Sequence, residues 1–202
     1  MNTIQSGILT LLRSSVTGET LQLPEGFSLG AAMDIIRSHH IAPLVYEGAV
    51  HCGISRDIPE MSVLLAAYCK ALLTSEGQQR EIARICAAFD EAGVDYMLLK
   101  GSRMKLLYPK PELRVMGDAD ILIRMEQYPV IRSCMAALGF TEGKESDHEL
   151  VWKSADLYLE LHKRLIPSYN KDYYAWYGDG WKLAARREGN CWYMSPEDET
   201  IY

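Results

Sequence analysis

Basic residues are in deficit along this chain of 202 residues: 21 Lys and Arg stand against 27 Asp and Glu, a net charge of −6. That is the wrong sign for a protein that coats DNA through its phosphates, although a local basic groove stays compatible with it. No apolar run approaches the ~20 residues of a membrane-spanning helix. The opening residues, MNTIQSGILTLLRSS, lack the cationic lead and long apolar stretch of a secretory signal. The expectation is a cytoplasmic protein with no membrane partner. Cysteines are few and scattered. Cys52, Cys69, Cys86, Cys134 and Cys191 are odd in number and form no CxxC pair, which argues against a disulfide framework or a standard zinc site. Cys69 and Cys86, in helical and partly apolar contexts, read as small buried hydrophobes. A Walker-type glycine loop is missing, which disfavours P-loop NTPases. With 15 Gly, 8 Pro and 48% hydrophobic residues, the composition is neither collagen-like nor disordered, and the length allows one domain or two small ones.

The first part of the chain carries helical spacing. Ile4, Ile8, Leu9, Leu11 and Leu12 recur on one stripe, and the segment from Ser28 to His39 carries Leu29, Met33, Ile35 and Ile36. Pro24 and Gly26 mark the loop between them. A longer helical stretch begins near Met61 with Leu64, Leu65, Tyr68, Leu72 and Leu73. The same or a following helix carries Ile82, Ile85, Cys86 and Phe89 and stops at Gly93. Residues 1–92 therefore read as a helical N-terminal region with no evident chemistry of its own.

At Gly93 the texture changes. Val94 to Leu99 is a short apolar run bounded by turn signals and reads as a buried strand. Lys100-Gly101-Ser102 ends it, followed by a helix over Arg103 to Tyr108 that Pro109 and Pro111 terminate. Asp118 to Ile123 reads as a second strand, and Met125 to Leu138 as a helix ending at Gly139. Glu149 to Lys153 and Leu157 to His162 flank Ser154-Ala155-Asp156 as a hairpin. This order predicts an α/β (α+β) core with a mixed sheet over 93–194. The tail from Tyr173 to Tyr193, rich in Tyr and Trp, is expected to form short strands or an irregular packed segment, its aromatics filling a core more readily than stacking on a base. At 195–202, Ser195, Pro196 and Asp198 form a helix start that is too short to stand alone, so more helix is expected to follow.

Three separated elements carry the chemistry. Asp118 and Asp120, two apart on a strand, project to one face, where their carboxylates can converge on divalent cations. Lys100-Gly101-Ser102 lies at a strand-to-helix junction, where glycine permits close backbone approach and the helix amides favour phosphate. Glu160 lies on the second arm of the hairpin with Tyr158 and His162 on its face, and completes a three-carboxylate cluster if the sheet places it beside the aspartates. His39-His40, His51-Cys52 and Asp147-His148-Glu149 match no standard ligand spacing.

Leu99-Lys100-Gly101-Ser102, Arg114, Gly117-Asp118-Ala119-Asp120-Ile121-Leu122-Ile123 and Leu159-Glu160-Leu161-His162 together resemble the nucleotidyltransferase superfamily typified by DNA polymerase beta. More narrowly, the chain is similar to uncharacterised bacterial nucleotidyltransferases with a helical N-terminal region. The resemblance implies that Gly101 and Ser102 hold a triphosphate and that Asp118 and Asp120 ligate two Mg²⁺ ions, with Mn²⁺ as a substitute. Glu160 would be the third carboxylate, activating an acceptor hydroxyl. Lys100 and Arg114 suit phosphate charge, and His162 could orient substrate or carboxylate. Two departures stand out: the gap from Ser102 to Asp118 is long, and Ala119 replaces a bulkier apolar residue. The implied activity is transfer of a nucleoside monophosphate from a triphosphate such as ATP to a hydroxyl on a small molecule, protein or RNA, releasing pyrophosphate. The alternatives are an inactive nucleotide-binding or regulatory module, for example half of a toxin–antitoxin or phage-defence pair, and a metal-dependent phosphohydrolase.

Overall fold

The computed structural model describes residues 1–201, so only Tyr202 of the expected terminal helix lies outside the described residues. The chain forms two compact units, one comprising Met1–Glu76 with Lys105–Val115, the other Gly77–Met104 with Met116–Tyr202.

The first unit is helical. Helix α1 (Thr3–Thr17) starts in a capping box in which Asn2 and Gln5 each accept from the other's backbone N–H. Helices α2 (Leu29–Ser38) and α3 (Ala42–His51) follow; α3, which opens with Pro43 in its first turn, escaped the sequence reading. Their shared core holds Ile8, Leu11, Ile36, Val45, Ala49 and Leu64. α1 and α3 approach so closely that a Cβ on Gly48 would collide with the Leu11 carbonyl. His51 serves this packing, with Nδ1 3.1 Å from the Ser14 carbonyl oxygen.

Helix α4 (Pro59–Glu91) is one unbroken helix of 33 residues. Its first part belongs to the first unit and its last two turns, with Ile85 and Phe89, pack into the sheet core of the second. The compact units therefore do not follow the expected boundary at 92/93. Hydrophobic positions decide this, because the stripe at Ile82, Ile85 and Phe89 finds its apolar partners on the sheet.

The second unit is built on a seven-stranded mixed sheet, in the order β3-β4-β5-β2-β1-β7-β6. The strands are β1 (Tyr96–Leu98), β2 (Ala119–Ile123), β3 (Thr141–Glu145), β4 (Glu149–Lys153), β5 (Tyr158–His162), β6 (Ala184–Glu188) and β7 (Cys191–Met194). β2 runs parallel to β5 and antiparallel to β1, and β4 and β5 form the expected hairpin. Helix α5 (Lys100–Met104) follows β1, earlier and shorter than the helix expected over 103–108. Helix α6 (Tyr128–Ala137) begins after a 3₁₀ turn over Met125–Gln127. The strand β3 gave no sequence signal because all five of its residues are exposed and none is hydrophobic.

Alternation on the central strands divides the sheet into two faces. Ala119, Ile121, Ile123, Leu159 and Leu161 join Ile85, Phe89, Ile131 and Met135 in one core. Full burial of each large apolar side chain there contributes about 1.5–3 kcal/mol before entropy costs. On the other face, Met97, Leu99 and Leu122 pack with Leu165, Tyr177 and Met194. The aromatic tail therefore covers a sheet face through α7 (Lys171–Tyr177) and Trp181, while β6 and β7 extend the sheet itself. Trp181 donates its indole N–H to the Ile123 carbonyl at 3.3 Å and meets Trp192 edge-on. Tyr173 and Trp176 remain exposed. Helix α8 (Pro196–Ile201) starts as expected, with the Ser195 hydroxyl accepting the Asp198 N–H at 3.1 Å.

All five cysteines are free, and the expectation of burial fails for Cys69, which is exposed on α4. Among the described residues, no helix is long and apolar enough to cross a membrane.

Candidate active site

Parallel pairing of β2 with β5 sets Asp120 directly beside Glu160 and Leu122 beside His162. Asp120, Glu160 and His162 therefore share the sheet face opposite the Ile121 and Leu161 core. Ala119 is fully buried in that core, opposite Leu159.

Three side chains converge at this spot. His162 Nε2 lies 2.8 Å from Asp120 Oδ1 and 3.7 Å from Glu160 Oε2. One ligand atom from each of the three residues lies within 4.8 Å of the others. Asp118 stands one residue before β2 rather than on it and falls outside that triad, yet its charge reaches Glu160. Burial first, then the charges of Glu149, Asp118 and Asp120, push the Glu160 carboxyl up to about 7. Asp120 behaves oppositely. Burial alone would raise it, but the hydrogen bond and charge of His162, together with the charge of Lys100, hold it below the usual carboxylate range. Adjacent carboxylates in one site thus have unequal proton affinity, as expected where like charges crowd together.

Glu149, set aside in the sequence with Asp147 and His148 for lack of a standard ligand spacing, acts on this group through its charge. Hairpin pairing sets it opposite His162, and His148 Nε2 lies 3.2 Å from its Oε2. The signal was available: once the hairpin register is counted from its turn, Glu149 falls on the face of Glu160 and His162.

The glycine turn lies on the same side. The Leu99 N–H donates to the Asp120 carbonyl at 2.9 Å, which ties the end of β1 to the carboxylate strand. Lys100 then turns the chain with φ +26°, a left-handed conformation that strains a side-chain-bearing residue, and Gly101 follows inside α5. A Cβ on Gly101 would lie 3.0 Å from the Met116 sulfur, so glycine lets α5 lie close against the segment that leads into β2. Ser102 is buried, its hydroxyl 4.0 Å from the Met116 sulfur. Lys100 is exposed and also lines an open cleft with Leu165, Ile166, Tyr173, Tyr177 and Ile201.

Arg114 belongs to the first compact unit, at the end of a 3₁₀ turn over Pro111–Leu113. That assignment accounts for the long gap between Ser102 and Asp118. Residues Lys105–Val115 leave the sheet unit and are fastened within the helical one by the Lys110–Glu47 ion pair and the Tyr68 hydroxyl, which donates to Glu112 at 2.9 Å. Arg103, next to Ser102, is held by Glu199 of α8 at 3.0 Å.

A family model described as an uncharacterised nucleotidyltransferase matches residues 26–202. No curated protein matches the chain. Among solved structures, the antibiotic-resistance factor ANT(2'')-Ia in solution is 22% identical over 40% of this chain and 43% of its own, with a TM-score of 0.36. The crystal structure of ANT(2'')-Ia in complex with adenylyl-2''-tobramycin is 22% identical over 41% of this chain and 47% of its own, with a TM-score of 0.35. The chain thus spans less than half the length of either. Because the family model takes in the whole β1–α5–β2 and β4–β5 framework and most of the helical region, the chain belongs to this uncharacterised nucleotidyltransferase family.

Proposed function

We propose that the carboxylate face of the sheet catalyses metal-dependent transfer of a nucleoside monophosphate to an acceptor hydroxyl. The observation that carries the proposal is the pairing of Asp120 with Glu160 on adjacent parallel strands, with Asp118 close enough for its charge to act on Glu160. The residues fit a divalent cation. They offer hard oxygen donors in a half-buried site whose negative charge has only partial compensation from Lys100 and His162. Asp118, Asp120 and Glu160 would hold Mg²⁺ or Mn²⁺, which supplies charge neutralisation for the entering and leaving oxygens.

The chain's own residues contribute position and charge. Gly101 brings the start of α5 against the segment that leads into β2, and the backbone there and Lys100 receive the triphosphate. Lys100 also borders the Tyr173 cleft, so a nucleotide with its phosphates at α5 can extend its nucleoside along Tyr173. Glu160, less buried than Asp120, takes the proton of the acceptor hydroxyl as its oxygen bonds to the α-phosphorus. The bond from that phosphorus to the bridging oxygen breaks, and pyrophosphate leaves. Asp120, whose surroundings hold its carboxyl below the usual carboxylate range, keeps its negative charge throughout.

Incubation with α-labelled nucleoside triphosphates, Mg²⁺ and a cell extract tests the proposal, comparing the intact chain with Asp118→Asn and Asp120→Asn. Label transferred to an acceptor by the intact chain and lost by both variants is the expected result. Transfer that survives both substitutions overturns the assignment. Label recovered as free nucleotide or phosphate indicates a phosphohydrolase, and calorimetry showing no metal-dependent nucleotide binding indicates a non-catalytic module.

A further inference from the structure

His162 has a place in the site that neither substrate contact nor simple packing explains. Its side chain is only 4% exposed, so it is shielded from a substrate arriving from solvent. Nδ1 is buried without a hydrogen-bond partner, and its contacts with Asp120 and Glu160 are both made through Nε2. The ring therefore points its one engaged nitrogen between two carboxylates from different strands. The separations of 2.8 and 3.7 Å bracket the roughly 3.0–3.4 Å expected between neighbouring ligands of one cation with bonds of about 2.1 Å.

We infer that His162 is a metal ligand, so that one of the cations in the proposed site is bound through two oxygens and one imidazole nitrogen, and that this nitrogen makes the site prefer Mn²⁺ to Mg²⁺. The inference rests on the metal-dependent reading above and deepens it. Mg²⁺ favours all-oxygen shells, whereas imidazole strengthens binding of first-row transition ions. When the metal binds, Nε2 gives up its hydrogen bond to Asp120 and offers its lone pair, and the proton leaves to solvent or moves to Nδ1. Asp120 loses one partner and gains a cation, so its charge stays compensated. Glu149 and His148 lie beside the triad and do not belong to it.

Pulsed electron paramagnetic resonance on the full chain loaded with Mn²⁺ alone reads this directly. The expected result is a nitrogen coupling on the Mn²⁺ signal that takes the ¹⁵N pattern in protein labelled with ¹⁵N-histidine. The coupling persists in His148→Gln and disappears in His162→Gln, with circular dichroism confirming that each variant is folded. His162→Gln also loses roughly 10–100-fold in Mn²⁺ affinity by calorimetry, with a much smaller change for Mg²⁺. Bound Mn²⁺ without nitrogen coupling overturns the inference and leaves the carboxylate metal site standing. Coupling retained in folded His162→Gln overturns it too. Failure to bind Mn²⁺ at all removes the metal-dependent function together with the inference. Should His162→Gln not fold, the ¹⁵N-histidine pattern and its persistence in His148→Gln decide alone.

Discussion

Asp120 and Glu160 occupy directly paired positions on neighbouring parallel strands, and their environments drive their carboxyl groups in opposite directions. Removing the two charges therefore has opposite effects on stability. Glu160 binds its proton more tightly when folded, at about 7 against an ordinary 4.5. Between those values the folded state carries more protons than the unfolded one, so stability falls as pH rises through the window. Glu160→Gln removes that loss. In EDTA its melting temperature relative to the intact chain should rise from pH 5 to pH 8, equivalent to about 1–3 kcal/mol at the upper end. A difference that does not change with pH contradicts the environment described for Glu160.

Asp120→Asn should act the other way. The folded carboxyl sits below its ordinary value, so its contribution is present above that value and is lost as pH falls through the folded one. Near neutral pH the variant should lose about 1–3 kcal/mol, because the buried His162 is left without its charged partner. The deficit should fade as pH falls below the ordinary carboxylate range, in contrast to Glu160→Gln. Thermal melts of the two variants across one pH series check both signs.

Tyr173 is 58% exposed and lines the cleft that Lys100 borders. Tyr173→Ala should leave the melting temperature within a degree or two, since exposed side chains contribute little to folding. Loss of stacking on the nucleoside should raise the KM for nucleoside triphosphate about 5–100-fold, with kcat much less affected. Tyr169→Ala, more exposed and outside that lining, is the control. Equal KM values for the two variants would move the nucleoside elsewhere.

Gly48 marks the tightest contact in the helical unit. Its missing Cβ is what lets α3 rest on the backbone of α1 at Leu11, and a backbone carbonyl cannot swing aside as a side chain can. Gly48→Ala should cost about 2–4 kcal/mol, seen as a lower urea midpoint with an unchanged slope. An unchanged midpoint would mean that the helices pack less closely than described.

Much of the fold is legible in the local pattern, for local reasons. Period-two alternation over Asp118 to Ile123 and along the 149–162 hairpin announces the central strands. Helical stripes announce α1, α2 and α4. What fails is local too: β3 has no hydrophobic residue and no alternating signal, and α3 hides behind Pro43 in a short connecting segment. The glycine turn and the Asp-Ala-Asp pair are equally visible, since both lie in short motifs whose residue types limit their chemistry.

The sequence by itself determined which groups could do chemistry, because carboxylate spacing, a turn glycine and strand alternation are properties of adjacent residues. Only the tertiary structure decided which of them meet. Strand pairing brings Asp120 to Glu160 and His162 and adds Glu149, and packing makes Lys105–Val115 part of the helical unit. The physical reason is that register between strands distant in sequence is fixed by burial of Ile121, Leu159 and Leu161 on the opposite face, a cooperative choice that no single segment contains.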